Sequence, residues 1–214
     1  MRTNTFMLRV MFVILVAYGA FLASTLAVNG SQDESQKSIS VIRFDERKEN
    51  MTVRKIEIER LSVTSSKPFE VVVAALKEAV GQPDMVEFLN ATKGARTFAE
   101  LESAVHRGLG RTGLMMFMEL DHGAILRKET GLDTPKMMRF LIGNPLIMKE
   151  MAKHVPDAGS YAPVTILVDE RPDGVHLSYD KMASLLAPYR NPAALAIARD
   201  LDSKIENLLR ECAA

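Results

Sequence analysis

Four residues of this chain pair a reactive side chain with a setting that would expose it: Asp121, His122, Asn144 and Tyr179. Asp121-His122-Gly123 closes an apolar run over 114–121, where a side chain can be presented from a rigid element. An aspartate there can orient an imidazole as a general acid or base, and the imidazole can also ligate a metal. The same residues equally suit a plain turn in which the carboxylate accepts backbone N–H groups. Asn144, between Gly143 and Pro145, offers its amide either to a ligand or as the cap of a following helix. Tyr179 ends another apolar run; its hydroxyl can reach into a cleft and stabilise developing negative charge, or the ring can simply lie half buried. All four sit at expected strand ends. If those ends meet at one end of a sheet, they line one pocket.

Other chemistries are less well supplied. His106, His154 and His176 have no partner at a zinc-type spacing, so neither a dedicated metal site nor a cofactor is expected. Of 13 methionines, seven fall between Met115 and Met151. Thioethers can hold Cu(I), which leaves a metal-handling protein built on His122 and methionine as one alternative, although methionine also fills irregular cores. A single cysteine, Cys212, excludes an intrachain disulfide framework and multi-cysteine clusters. Serine-hydrolase, phosphate-loop and dinucleotide motifs are missing from the sequence. Lysine plus arginine (27) balances aspartate plus glutamate (27), tryptophan is absent and aromatics are 6%, so a nucleic-acid partner is not expected.

The elements that must position these residues follow from periodicity. Ile56, Ile58, Leu61 and Val63 alternate as a strand with a slip near Arg60 that predicts a bulge. Lys67-Pro68 opens a helix carrying Phe69, Val72, Val73, Leu76 and Val80, which Gly81 stops. A short helix is predicted over 83–89, and Thr97 to Glu100 is a capping box that opens another. Residues 114–121, apolar on both faces at first, read as a central strand. Residues 136–142 form the next strand, followed by a helix that starts at Pro145 with Asn144 as its cap. Residues 164–168 and 175–179 form a hairpin, and Asn191-Pro192 opens a last helix. Strands and helices mix without strict alternation, which predicts an α+β fold with helices packed on one face of a sheet.

At 47% hydrophobic and 25% charged, 214 residues suffice for one domain and an appendage. That appendage is N-terminal. Arg2 and Arg9 precede a charge-free stretch over 10–28, the layout of a signal peptide (1–28) cleaved after Ala27 or of an uncleaved anchor, for which roughly 20 residues suffice. A polar linker over 29–52 leads to the domain, 53–214. The domain is therefore expected outside the cytoplasm, periplasmic or otherwise extracytoplasmic, with membrane contact only through residues 10–28.

The ordered set Asp121-His122-Gly123-Ala124, Gly143-Asn144-Pro145, Tyr161-Ala162-Pro163-Val164 and Val175-His176-Leu177-Ser178-Tyr179 resembles the bacterial domain of unknown function 302 (DUF302) family, over about residues 53–189. The resemblance implies a TATA-binding-protein-like β-α-β arrangement, a curved and mostly antiparallel sheet with helices behind it. It implies no activity, because none has been firmly assigned to the family. Many relatives carry cysteine where this chain has Gly143, and the stretch 83–110 is longer than usual, so no thiol mechanism is implied. The functional expectation is an exported domain, as a monomer or a homodimer, that binds a small molecule or a partner protein near His122, Asn144 and Tyr179. The alternatives are an enzyme using Asp121-His122 as acid or base with Tyr179, and the metal-handling protein above.

Overall fold

The computed structural model describes residues 52–214; the expected leader, and the linker up to residue 51, lie outside the described residues. In chain order the elements are β1 (Arg60–Ser65), α1 (Phe69–Ala79), α2 (Met85–Gly94), α3 (Phe98–Gly108), β2 (Met115–Asp121), α4 (Gly123–Thr130), β3 (Met137–Gly143), α5 (Pro145–Ala152), β4 (Val164–Arg171), β5 (Gly174–Asp180), α6 (Met182–Leu186) and α7 (Pro192–Ala213). The strands form one antiparallel sheet in the order β1-β5-β4-β3-β2. The architecture is α+β.

Alternation in the strands decides which face is covered. Val175, Leu177 and Tyr179 on β5, Val164, Ile166 and Val168 on β4, and Phe140 and Ile142 on β3 are all buried on the same face. Against them pack Val72, Leu76 and Ala79 of α1, Met182 and Leu186 of α6, and Ala194, Ala198, Leu201, Ile205 and Leu208 of α7. These α7 positions recur at three- and four-residue intervals, so one apolar stripe of the 22-residue helix faces the sheet. Its neighbours Arg199, Asp200 and Ser203 remain in solvent. A smaller cluster of Phe88, Val105 and Met115 joins the α2-α3 hairpin to the start of β2.

Two expectations are corrected. β2 is an edge strand and not a central one. Its apolar start reflects helices: Leu114 and Met116 enter the main core while Met115 packs into the α2-α3 cluster, and Met118 beyond them is 49% exposed. The bulge lies in β2 and not near Arg60. β1 pairs with β5 without interruption, whereas the register of β2 against β3 shifts between Met116 and Met118. That shift leaves Phe117 as the extra residue and re-aims its ring. Ile56 and Ile58 precede the strand rather than belonging to it.

Candidate functional site

Asn144 occupies the junction of β3 and α5. Its Oδ1 accepts the Leu146 N–H at 2.8 Å and caps α5, with Pro145 at the first helical position, where the missing N–H costs nothing. Its Nδ2 donates to the Gly113 carbonyl at 3.0 Å, tying the turn before β2 to the helix. Both polar ends of the side chain are thus engaged by backbone. Beside it lies a cavity of about 120 Å³ walled by Phe117, Gly143, Asn144, Pro145, Ile147, Met148, Met151, Ala162, Pro163, Val164 and Leu201. Asn144 is the one polar side chain in that wall. A Cβ built on Gly143 would meet Pro163 at 3.5 Å and Phe117 at 3.7 Å, which is ordinary contact, so it is the lack of a side chain there that leaves the space open.

Asp121 and His122 belong elsewhere. The Asp121 carboxylate accepts the Ala124 N–H at 2.8 Å, satisfying a free donor at the start of α4, and pairs with Arg127 Nη2 at 2.7 Å. The Arg127 guanidinium beside it holds the Asp121 carboxyl below the usual carboxylate range. Asp121 therefore serves its own helix and Arg127, and makes no hydrogen bond to the His122 ring. His122 is half buried, and its imidazole has no hydrogen-bond partner among the described residues. Gly123 is needed for close approach: a Cβ there would stand 2.6 Å from Arg127 Nη1 and 2.7 Å from Met137 N. Helix α4 itself is absent from the periodicity reading, because a glycine opens it and only eight residues carry it.

Asp121 and Arg127 also line a wider cleft of about 530 Å³ between α1 and the start of β3. Its apolar lining is Phe69, Val73, Ala74, Met137 and Met138; its charged lining adds Glu70, Lys77, Asp133 and Lys136.

Tyr179 lies in the interior, 2% exposed. Its hydroxyl donates to Asp202 Oδ1 at 2.6 Å and accepts the Met182 N–H at 3.1 Å. Burial, with the Asp202 carboxylate adding to it, raises the phenol's pKa far above the ordinary value.

The single pocket expected from strand ends does not form, and the reason is strand direction. β2 and β3 are antiparallel, with Met115 opposite Gly143 and Asp121 opposite Met138. The C-terminal ends of the two strands therefore lie at opposite ends of the sheet, about 20 Å apart for six residues of extended chain. Asn144 and Tyr179 share an end of the sheet, but Tyr179 points into the core. Hence Asn144 lines one cavity, Asp121 another, and Tyr179 neither. Sequence reasoning missed Phe117, Met148, Met151 and Pro163, whose apolar character reads as core. It also missed Lys77, Arg127 and Lys136, whose charges read as solvated surface.

The family model for the domain of unknown function DUF302 matches residues 90–212, more than half of the chain. The chain belongs to the DUF302 family. A similar solved structure, the crystal structure of an uncharacterized conserved protein DUF302 from Bacillus stearothermophilus, is 16% identical. The alignment covers 72% of this chain and 97% of that one, with a TM-score of 0.50, a likeness of fold. No curated protein matches. In this DUF302 chain Cys212 is buried against the core, and burial pushes its thiol up to about 11, away from nucleophilic use. The seven central methionines are dispersed: Met115 in the small cluster, Met116 and Met151 in the main core, Met137 and Met138 in the cleft lining, Met148 in the apolar cavity and Met118 exposed. Among the described residues no group of three or more His, Cys, Asp or Glu side chains is placed to hold a metal ion, and no helix is long and apolar enough to cross a membrane.

Proposed function

We propose that this domain is a binding protein that takes a small apolar group, a single aromatic ring or a short branched acyl chain, into the cavity beside Gly143 and Asn144. The observation that carries this reading is the cavity's chemistry: about 120 Å³ of space with apolar walls, in which the one polar side chain is already saturated by backbone. A concavity with such walls offers water few of the two to four polar partners it needs, so an apolar group gains by displacing it. Asn144 acts here as a wall-forming residue. It locks the Gly113 turn to α5, so the cavity is pre-formed and little ordering cost attends binding.

The test is a titration of the full chain with toluene, followed by the methyl resonances of Met148 and Met151 and by thermal stability. Binding moves both resonances and raises the melting temperature, a ligand at 100 times its Kd contributing about 2.7 kcal/mol. Gly143→Leu, whose side chain grows toward Pro163 and Phe117, abolishes the shifts without lowering the melting temperature. Resonances that stay unmoved in saturating toluene defeat the reading.

The charge-free stretch over 10–28 behind Arg2 and Arg9 supports placing this binding domain outside the cytoplasm.

A further inference from the structure

The cleft at the opposite end of the sheet differs in character from the cavity beside Asn144. It is several times larger, about 530 Å³, and combines an apolar lining with charges of both signs. Phe69, Val73 and Ala74 line the cleft from α1, and the start of β3 lines it at Met137 and Met138, of which Met138 lies on the helix-covered face opposite Val168. Two ion pairs span the gap between α1 and the sheet. Lys136, just before β3, meets Glu70 in the first turn of α1; Lys77, in the last turn of α1, meets Glu119 of β2 at 2.5 Å. Glu70 and Lys77 are seven residues apart, about 10 Å along the helix. The Asp121–Arg127 pair forms part of the far wall. Asp133 lines the same cleft and has no ion-pair partner among the described residues.

From this arrangement we infer that the cleft is a second binding site, for a small zwitterion with an apolar body, of the chemical class of free α-amino acids with aliphatic or aromatic side chains. The acidic partner of each spanning pair is solvent-exposed, Glu70 at 65% and Glu119 at 44%, while both lysines are 31% exposed. Such pairs contribute little to folding and open readily. A ligand carboxylate replaces Glu70 against Lys136, the ligand ammonium turns to the released Glu70 and to Asp133, and the side chain lies on Phe69, Val73 and Met138. Asp121 stays paired with Arg127 and Lys77 with Glu119, so a purely anionic ligand that takes Lys136 leaves Glu70 and Asp133 without a countercharge, and a purely cationic one leaves Lys136 without one. A dipolar ligand satisfies both sets. This site shares no wall residue with the cavity beside Asn144.

Calorimetric titration and amide chemical-shift mapping of the full chain with leucine, methionine and phenylalanine test the inference, alongside their methyl esters and N-acetyl forms. At least one free amino acid saturates the protein with a Kd at or below the millimolar range, about 1 mM, and shifts amides of α1, α4 and residues 133–138. Blocking either the carboxylate or the amine weakens binding at least about tenfold. Lys136→Met and Asp133→Asn weaken it to a similar extent with the melting temperature unchanged, while Gly143→Leu leaves it intact. The inference is overturned if none of the three free amino acids saturates at about 10 mM, if blocked and free forms bind alike, or if binding survives both charge-removing substitutions. Shifts confined to the residues around Asn144 also overturn it, and leave the apolar cavity as the one site.

Discussion

Tyr179 at the end of β5 and Asp202 in the middle of α7 are joined by a 2.6 Å hydrogen bond inside the core, phenol to carboxylate. Asp202 Oδ1 also accepts the Met182 N–H at 2.8 Å, and Oδ2 the Ala183 N–H at 3.1 Å. The carboxylate thereby caps α6, whose own preceding residue, Lys181, contributes no side-chain cap. A buried charge is tolerable here because every near donor is turned toward it. Strand, short helix and long helix meet at this one side chain.

Removing the carboxylate strands those donors. Asp202→Ala is expected to destabilise the domain by about 3 kcal/mol or more, since each buried group left unsatisfied costs on the order of 1–3 kcal/mol. Tyr179→Phe should cost less, about 1–2 kcal/mol, because Met182 N keeps its bond to Asp202. Urea unfolding with matched m-values measures both.

Burial of this phenol, with the Asp202 carboxylate adding to it, sets an alkaline limit. The Tyr179 phenol titrates above its ordinary value of 10.0 in the fold, so the folded state holds this proton after the unfolded chain has released it. The resulting stability is complete below pH about 10 and is lost as pH rises beyond that. Unfolding curves from pH 8 upward should show a decline that Tyr179→Phe makes shallower. An identical decline in both proteins would assign it to other groups.

Asn144→Ala removes the cap of α5 and the tie to Gly113 together. The expected loss is about 1–2 kcal/mol from the cap, with more from the orphaned Gly113 carbonyl. Asn144→Asp keeps the cap and loses the donor, so it should fall between wild type and alanine. Amide exchange at Leu146 and in the 110–114 turn distinguishes the two bonds.

Gly123→Ala places a methyl carbon within 2.9 Å of backbone at Pro135 and closer still to Met137 N and Arg127. Backbone on two sides cannot move aside, so the α4 start must shift at a cost of about 1–3 kcal/mol. Arg127 is expected to lose its place beside Asp121, which a rise in the Asp121 carboxyl titration, followed by NMR, would report.

Residues 1–52 fused to a reporter active only outside the cytoplasm should make it active. Replacing Val13 and Leu15 by arginine should silence it, since charges in the apolar stretch block insertion at about 2.5–3.5 kcal/mol each. Activity that persists in the double arginine variant removes the export proposal.

What could be read in one dimension was local. Asn144 before Pro145, Thr97 three residues before Glu100, and Asn191 before Pro192 act as caps in the fold as their spacing requires, because a cap bond spans only two or three residues. The stripe of α7 and the alternation of β5 were legible for the same reason, since each element's period marks the side it buries. Strand pairing is a different kind of fact. The run 114–121 carries the apolar content of a central strand, yet it lies at the edge because helices rather than strands cover its start. Whether Asp121 and Asn144 share an end depends on the direction of β2 against β3, set by pairing between residues 17 to 28 positions apart. Tyr179 lies on the buried face of β5 with Val175 and Leu177, and its hydroxyl is satisfied there by Asp202, a partner 23 residues away on α7. Tertiary structure alone decided that the candidates occupy two cavities and a core, since covalent neighbours fix only the turn they share.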